Sequence, residues 1–143
     1  MSNHSAQKAF KTLLDKRFAD VPAETVREFA LSMWYDGFVP DVSRFRKPEK
    51  LAKAGYLLER LLAFHCVTPS VRQNVKVKLV FLENKTSKHH EMYPLSTVLK
   101  RNRAVGDPLA ERWGVKDTLK KQVQELLPYQ TRHYKQGESN PTP

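Results

Sequence analysis

The sequence predicts an α+β, mainly helical fold, with five or six helices around a central helix and one β-hairpin. Three observations carry that reading. Apolar residues recur at helical spacing over 6–18, 26–34 and 51–65, they alternate strictly over 75–81, and Gly and Pro punctuate the chain between these runs. A length of 143 residues fits a single compact domain, assigned here to 1–129, with one core.

Taken in order, Ser5 is placed to cap a helix from Ala6 to about Ala19, with Ala6, Phe10, Leu13, Leu14 and Phe18 along one side. Pro22 fits the first turn of a second helix, whose inward face is Val26, Phe29, Ala30, Met33 and Trp34 and which Gly37 ends. After the connector Phe38 to Lys47, Pro48 restarts the helix. Its stripe is Leu51, Ala54, Leu58, Leu61, Leu62 and His65, and Tyr56, Leu57 and Phe64 make the last turns apolar nearly all round. That pattern marks the central, most buried helix.

Beyond Thr68 and Pro69, Val75, Val77, Leu79 and Phe81 alternate with Lys76 and Lys78, which reads as a strand. Glu83 to Lys88 would turn the chain, and His89 to Leu95 would return as a partner strand that Pro94 confines to an edge. Ser96 is placed to cap a short helix that Gly106 closes. Asp107 and Pro108 open another helical turn ending at Gly114, and Asp117 begins a helix with Leu119, Val123, Leu126 and Leu127 inward until Pro128. The polar composition of 130–143 predicts a flexible tail.

The chain carries 25 Lys and Arg against 15 Asp and Glu, a net charge of +10. Such an excess repels itself and adds nothing to a core, so it speaks of partners: nucleic acid first, then acidic proteins or anionic membranes. Cys66 is the single cysteine, which excludes an internal disulfide and a thiolate zinc cage and suits a reducing compartment, the cytoplasm. No apolar run reaches the length of about 18 residues that crosses a bilayer, and no secretory hydrophobic segment stands at the N-terminus. The basic first helix is interrupted by Asp15 and Asp20, so it reads as a folded element and not as a transit peptide.

The charge is unevenly placed. Residues 1–66 hold 11 basic and 8 acidic residues, a net +3, whereas 67–143 hold 14 and 7, a net +7. Over 72–103 stand Arg72, Lys76, Lys78, Lys85, Lys88, Lys100, Arg101 and Arg103 against only Glu83 and Glu91. On a strand, Lys76 and Lys78 would share one face and extend to the Lys100, Arg101 and Arg103 cluster. A second cluster, Arg44, Arg46, Lys47, Lys50 and Lys53, surrounds the start of the central helix, with Lys53 and Arg60 on one outward arc. The helix dipole is already positive there, so stability alone would not favour it. Phe45, between two arginines, is read as a hydrophobic staple for the following helix in preference to a base-stacking ring. Whether the two clusters merge decides whether a groove exists.

The stretch Leu109, Ala110, Glu111, Arg112, Trp113, Gly114, Val115 resembles the first helix and turn of the helix-turn-helix of bacterial repressors. Ala110 allows close helix approach, Gly114 can take the left-handed turn conformation, and Val115 plugs the core. The resemblance implies a recognition helix over 116–127, in which Lys121 and Gln124 read bases while Lys116 and Lys120 position the backbone. Lys120 stands where that pattern has an apolar residue, whereas Val123 falls in its place.

No residues assemble into recognisable chemistry. His89 and His90 would point to opposite strand faces, and His65 and Cys66 diverge as helix neighbours in an apolar stretch, so no metal or nucleophile is assigned. No Gly-rich phosphate loop is present. The sequence is thus read as a small, basic, non-catalytic nucleic-acid-binding protein without cofactor, a regulator or an accessory subunit of a nucleoprotein complex contacting DNA or RNA, with duplex backbone the preferred form. The rival reading is a protein-binding inhibitor or adaptor that covers an acidic surface of its partner.

Overall fold

The structure, a computed structural model, describes residues 3–62, 68–101 and 107–126. Seven α-helices and no β-strand are found among them. Helices α1 (Asn3–Asp15) and α2 (Ala23–Asp36) are joined through a short 3-10 turn, Phe18–Asp20. The predicted stripes of both helices are buried, from Ala6 to Phe18 and from Val26 to Trp34. Helix α1 begins at Asn3, so Ser5 lies inside it and not at its cap, and it stops at Asp15, short of the expected Ala19. Pro22 is the residue before α2, and Gly37 ends that helix at φ 70°, a conformation glycine adopts without a Cβ penalty.

Helix α3 (Pro48–Leu62) occupies the centre, and every residue from Leu51 to Leu58 is buried. It packs against α1, against α4 (Pro69–Thr86) and against α6 (Pro108–Trp113). Gly55 permits the close approach of α6, because a Cβ there would run into the indole ring of Trp113. Helix α5 (Leu95–Arg101) lies on α6, and the five-residue α7 (Lys120–Gln124) lies on α2.

The β-hairpin is overturned, and with it the α+β class: 69–86 is a single helix of 18 residues. Two periods coexist in this stretch. Val75, Val77, Leu79 and Phe81 alternate, but Val71, Val75, Leu79, Leu82 and Thr86 recur at helical spacing, and only the second set is buried throughout. Val77 and Val80 are each 56 % exposed. The β-branched valines favour a strand locally. Burial of a continuous stripe against α3 outweighs that preference, which amounts to less than about 1 kcal/mol per residue. A helix start stands ahead of it as well: Thr68 Oγ1 accepts from Val71 N–H and Pro69 fills the first helical position. With no strand beside it, 91–94 has nothing to pair with and runs as an irregular link.

The same cap recurs at α6, where Asp107 accepts from Ala110 N–H and Pro108 follows. Gly114 closes α6 at φ 73°, with the His90 ring so near that a Cβ would stand 2.9 Å from it. Asp117 does not begin a helix. Its carboxylate accepts from the N–H groups of Phe18 and Ala19, capping the distant 3-10 turn. Gln122 strengthens this latch by donating to the carbonyls of Phe18, at 2.8 Å, and Val21, at 3.0 Å.

Candidate functional site

Helix α1 ends where α3 begins, and this junction sets the character of the surface. The carbonyls of the last turn of α1 have no partner within the helix. Lys50 Nζ donates to Leu14 O at 2.9 Å, and Lys53 Nζ donates to Lys16 O at 2.5 Å. Lysines at the start of α3 are unfavourable to its own dipole, yet they face the negative pole of α1. Lys53 is therefore not on an outward arc. It is 8 % exposed, its ammonium lies 4.4 Å over the Phe18 ring, and burial pushes its pKa below the ordinary lysine value. Arg60, expected beside it on that arc, is turned instead into an ion pair with Asp107.

Around this junction lie two clefts. The first, of about 370 Å³, is lined by Lys11, Leu14, Asp15, Arg44, Phe45, Arg46, Lys47 and Lys50. The second, of about 340 Å³, is lined by Leu14, Asp15, Lys16, Arg17, Glu49, Lys50, Ala52, Lys53 and the turn Gly114–Asp117 with Val115 and Lys116. They share Leu14, Asp15 and Lys50 and so adjoin. Nine basic side chains meet three acidic ones across the two, and the acid Asp117 is already committed to backbone N–H groups. The surface is cationic on balance, although locally tempered.

Arg44, Arg46 and Lys47 are exposed, and none of the three forms an ion pair among the described residues. Phe45 between them is half-buried and stacks on Phe10 of α1 with centroids 5.9 Å apart, so it packs on the core. Asp41, in the same connector, is held below the usual carboxylate range by hydrogen bonds from Ser43, with Lys78 and Arg44 adding their charge.

The cluster predicted from Lys76, Lys78, Lys100, Arg101 and Arg103 does not form the expected face. Lys76 and Lys78 are two apart on a helix and point about 200° apart. Lys78 reaches the electrostatic neighbourhood of Asp41 and Arg44, whereas Lys76 stands exposed elsewhere on α4. Lys100 is exposed on α5 and lines neither cleft, Arg101 is the last residue of that helix, and Arg103 lies outside the described residues, as do His65 and Cys66. Lys116 joins Lys50 and Lys53 of the Arg44–Lys53 cluster across the fold. Lys11, Lys16 and Arg17 are cleft residues that the sequence alone does not single out. Their signal is a run of basic residues toward the end of the first helix, visible but without an indication that the second cluster folds against it.

Beyond Gly114 the helix expected over 116–127 contracts to Lys120–Gln124, because the chain first spends Lys116 to Leu119 reaching the 3-10 turn and Tyr56. Lys120, Lys121 and Gln124 are exposed on it, opposite buried Gln122 and Val123. Five residues span only about 7.5 Å.

A separate, buried polar network stands at the other end of α3. Tyr56 Oη donates to Asp107 Oδ2 at 2.5 Å and accepts from Leu119 N–H at 2.7 Å, while Arg60 pairs with Asp107. Arg112 bridges Glu59, at 2.7 Å, and Glu83, and Trp113 Nε1 donates to Glu59 at 2.7 Å. Burial, then the Asp107 hydrogen bond, push the Tyr56 hydroxyl well above the ordinary tyrosine value. These bonds join α3, α4, α6 and the turn before α7. Among the described residues, no three His, Cys, Asp or Glu side chains come together as a metal site, and no helix is long and apolar enough to cross a membrane.

The fold and the site define a basic, mainly helical protein with a cationic double cleft. No protein family, curated protein or solved structure matches the chain.

Proposed function

We propose that the protein is a non-catalytic nucleic-acid-binding protein, a regulator or accessory subunit of a nucleoprotein complex, and that it holds the phosphate backbone of DNA or RNA in the double cleft at the α1–α3 junction. The observation that supports this most is the convergence there of basic residues from three separate chain segments: Lys11 to Arg17, Arg44 to Lys53, and Lys116. A polyanion held by such a surface releases condensed counterions, so its affinity falls steeply with salt. The exposed arginines of the connector suit bidentate phosphate contact. Phe45, the one aromatic residue lining the clefts, is half-buried and has its ring stacked on Phe10, which favours backbone contact over base stacking. A single cysteine fits the reducing cytoplasm.

The test is a titration of the full chain against duplex DNA, single-stranded DNA and RNA at several salt concentrations. The reading requires micromolar or tighter binding to at least one of them at low salt, with a steep negative salt slope. Absence of binding to all three transfers the cleft to an acidic protein surface.

A further inference from the structure

We propose that Asp15 is an internal counterion of the double cleft: a backbone phosphate of the bound nucleic acid must displace the Asp15 carboxylate from Lys50, and this competition holds affinity down. This rests on the reading of the cleft as a nucleic-acid site and adds the residue that sets its strength.

Asp15 and Lys50 are the charged pair common to both chambers, so an anionic chain running through the cleft meets them at its middle. Their ammonium and carboxylate are 2.6 Å apart. The pair is not needed to anchor Lys50, whose ammonium is also held by Leu14 O. Nor does α1 gain from the acid, since Asp15 is the last residue of that helix and a carboxylate is disfavoured at its negative pole. The Lys50 hydrogen bond, and then the charges of Lys50, Lys53 and Lys47, lower the pKa of this carboxylate from the ordinary aspartate value. The protein's own anion thus sits where an incoming phosphate would be most strongly attracted.

The two partners differ in freedom. The Asp15 side chain is 69 % exposed and that of Lys50 is 27 % exposed. Exchange therefore moves the carboxylate out into water and leaves the lysine in place, with no rearrangement of the core. A polymer can drive this exchange because its neighbouring phosphates are already held by Arg46, Lys47 or Lys116, which raises the local concentration of the competing group.

The experiment compares wild type, Asp15→Asn and Glu24→Gln for binding to a single-stranded and a duplex oligonucleotide by fluorescence anisotropy, at low and high salt. Glu24→Gln makes the same change in net charge, at a residue that pairs with Arg27 and lines neither cleft. Asp15→Asn is expected to bind the preferred strand form about two- to fivefold more tightly at low salt, the range of an exposed ion pair, and Glu24→Gln less than about 1.5-fold. The gain should shrink at high salt, because an exposed carboxylate is screened. Equal affinities of Asp15→Asn and Glu24→Gln, or weaker binding by Asp15→Asn, overturn the inference while wild-type binding leaves the nucleic-acid reading standing. If wild type and both variants bind neither oligonucleotide, the reading itself fails and the counterion role with it.

Discussion

The two ends of α3 put charge to opposite uses. In its C-terminal half, Tyr56, Glu59 and Arg60 are matched with Asp107, Arg112 and Trp113, partners brought from another part of the chain and largely withdrawn from water. At its N-terminal end, Lys50 and Lys53 close off α1, but Arg44, Arg46 and Lys47 beside them are left exposed and outside any ion pair among the described residues. Buried charge that loses a partner is expensive, whereas exposed charge is almost neutral to stability. The difference separates residues that hold the fold from residues available to a ligand, and each can be removed without the other.

The largest effect is expected from Asp107→Ala. The Asp107 side chain is 3 % exposed, and its loss strands the Arg60 guanidinium and removes the acceptor of Tyr56. Breaking a buried pair in this way costs about 3–5 kcal/mol, which urea unfolding will measure as a lowered midpoint. An effect under about 1 kcal/mol would erase the contrast between the two ends.

Gly55→Ala comes next. The added methyl meets the buried Trp113 ring, which cannot swing aside as the tip of a flexible side chain would. Overpacking of about 1–3 kcal/mol outweighs the roughly 1 kcal/mol by which alanine is the better helix former, so thermal unfolding should shift downward.

Tyr56→Phe sharpens the comparison through pH. It leaves Asp107 and Leu119 N–H each short of one bond, a loss of about 1–3 kcal/mol at neutral pH. The Tyr56 pKa is raised in the folded protein, so its contribution is complete below the unfolded value near 10.0 and is lost as pH rises through the higher folded value. The stability difference between wild type and Tyr56→Phe should stay flat below pH 10 and narrow above it. A gap that stays constant through that range would show that the hydroxyl ionises as freely in the fold as outside it.

Much of the fold is legible in local signals. The stripes of α1, α2 and α3, the glycines at 37 and 114, and the Pro48 and Asp107-Pro108 starts all act within a turn of themselves. The strand expected over 75–81 fails because this stretch satisfies both periods, and only packing on α3 decides between them. The site is half legible for the same reason. Arg44, Arg46 and Lys47 follow from composition alone, but the burial of Lys53, the capture of Lys50 by Asp15 and the arrival of Lys116 depend on segments 35 or more residues apart. Asp117 is the clearest case: it has the look of a helix start, and it caps another element 98 and 99 residues away.

The most direct test of the cationic cleft is the salt dependence of duplex binding by wild type and by the triple variant Arg44→Ser, Arg46→Ser, Lys47→Ser. All three side chains are exposed, so stability should change by no more than about 0.5 kcal/mol per site. The slope of log affinity against log salt should flatten by roughly 0.9 for each phosphate no longer neutralised, up to about 2.7 in all, with a matching fall in affinity at low salt. An unchanged slope and affinity in a folded triple variant would contradict the assignment of this cleft to a polyanion.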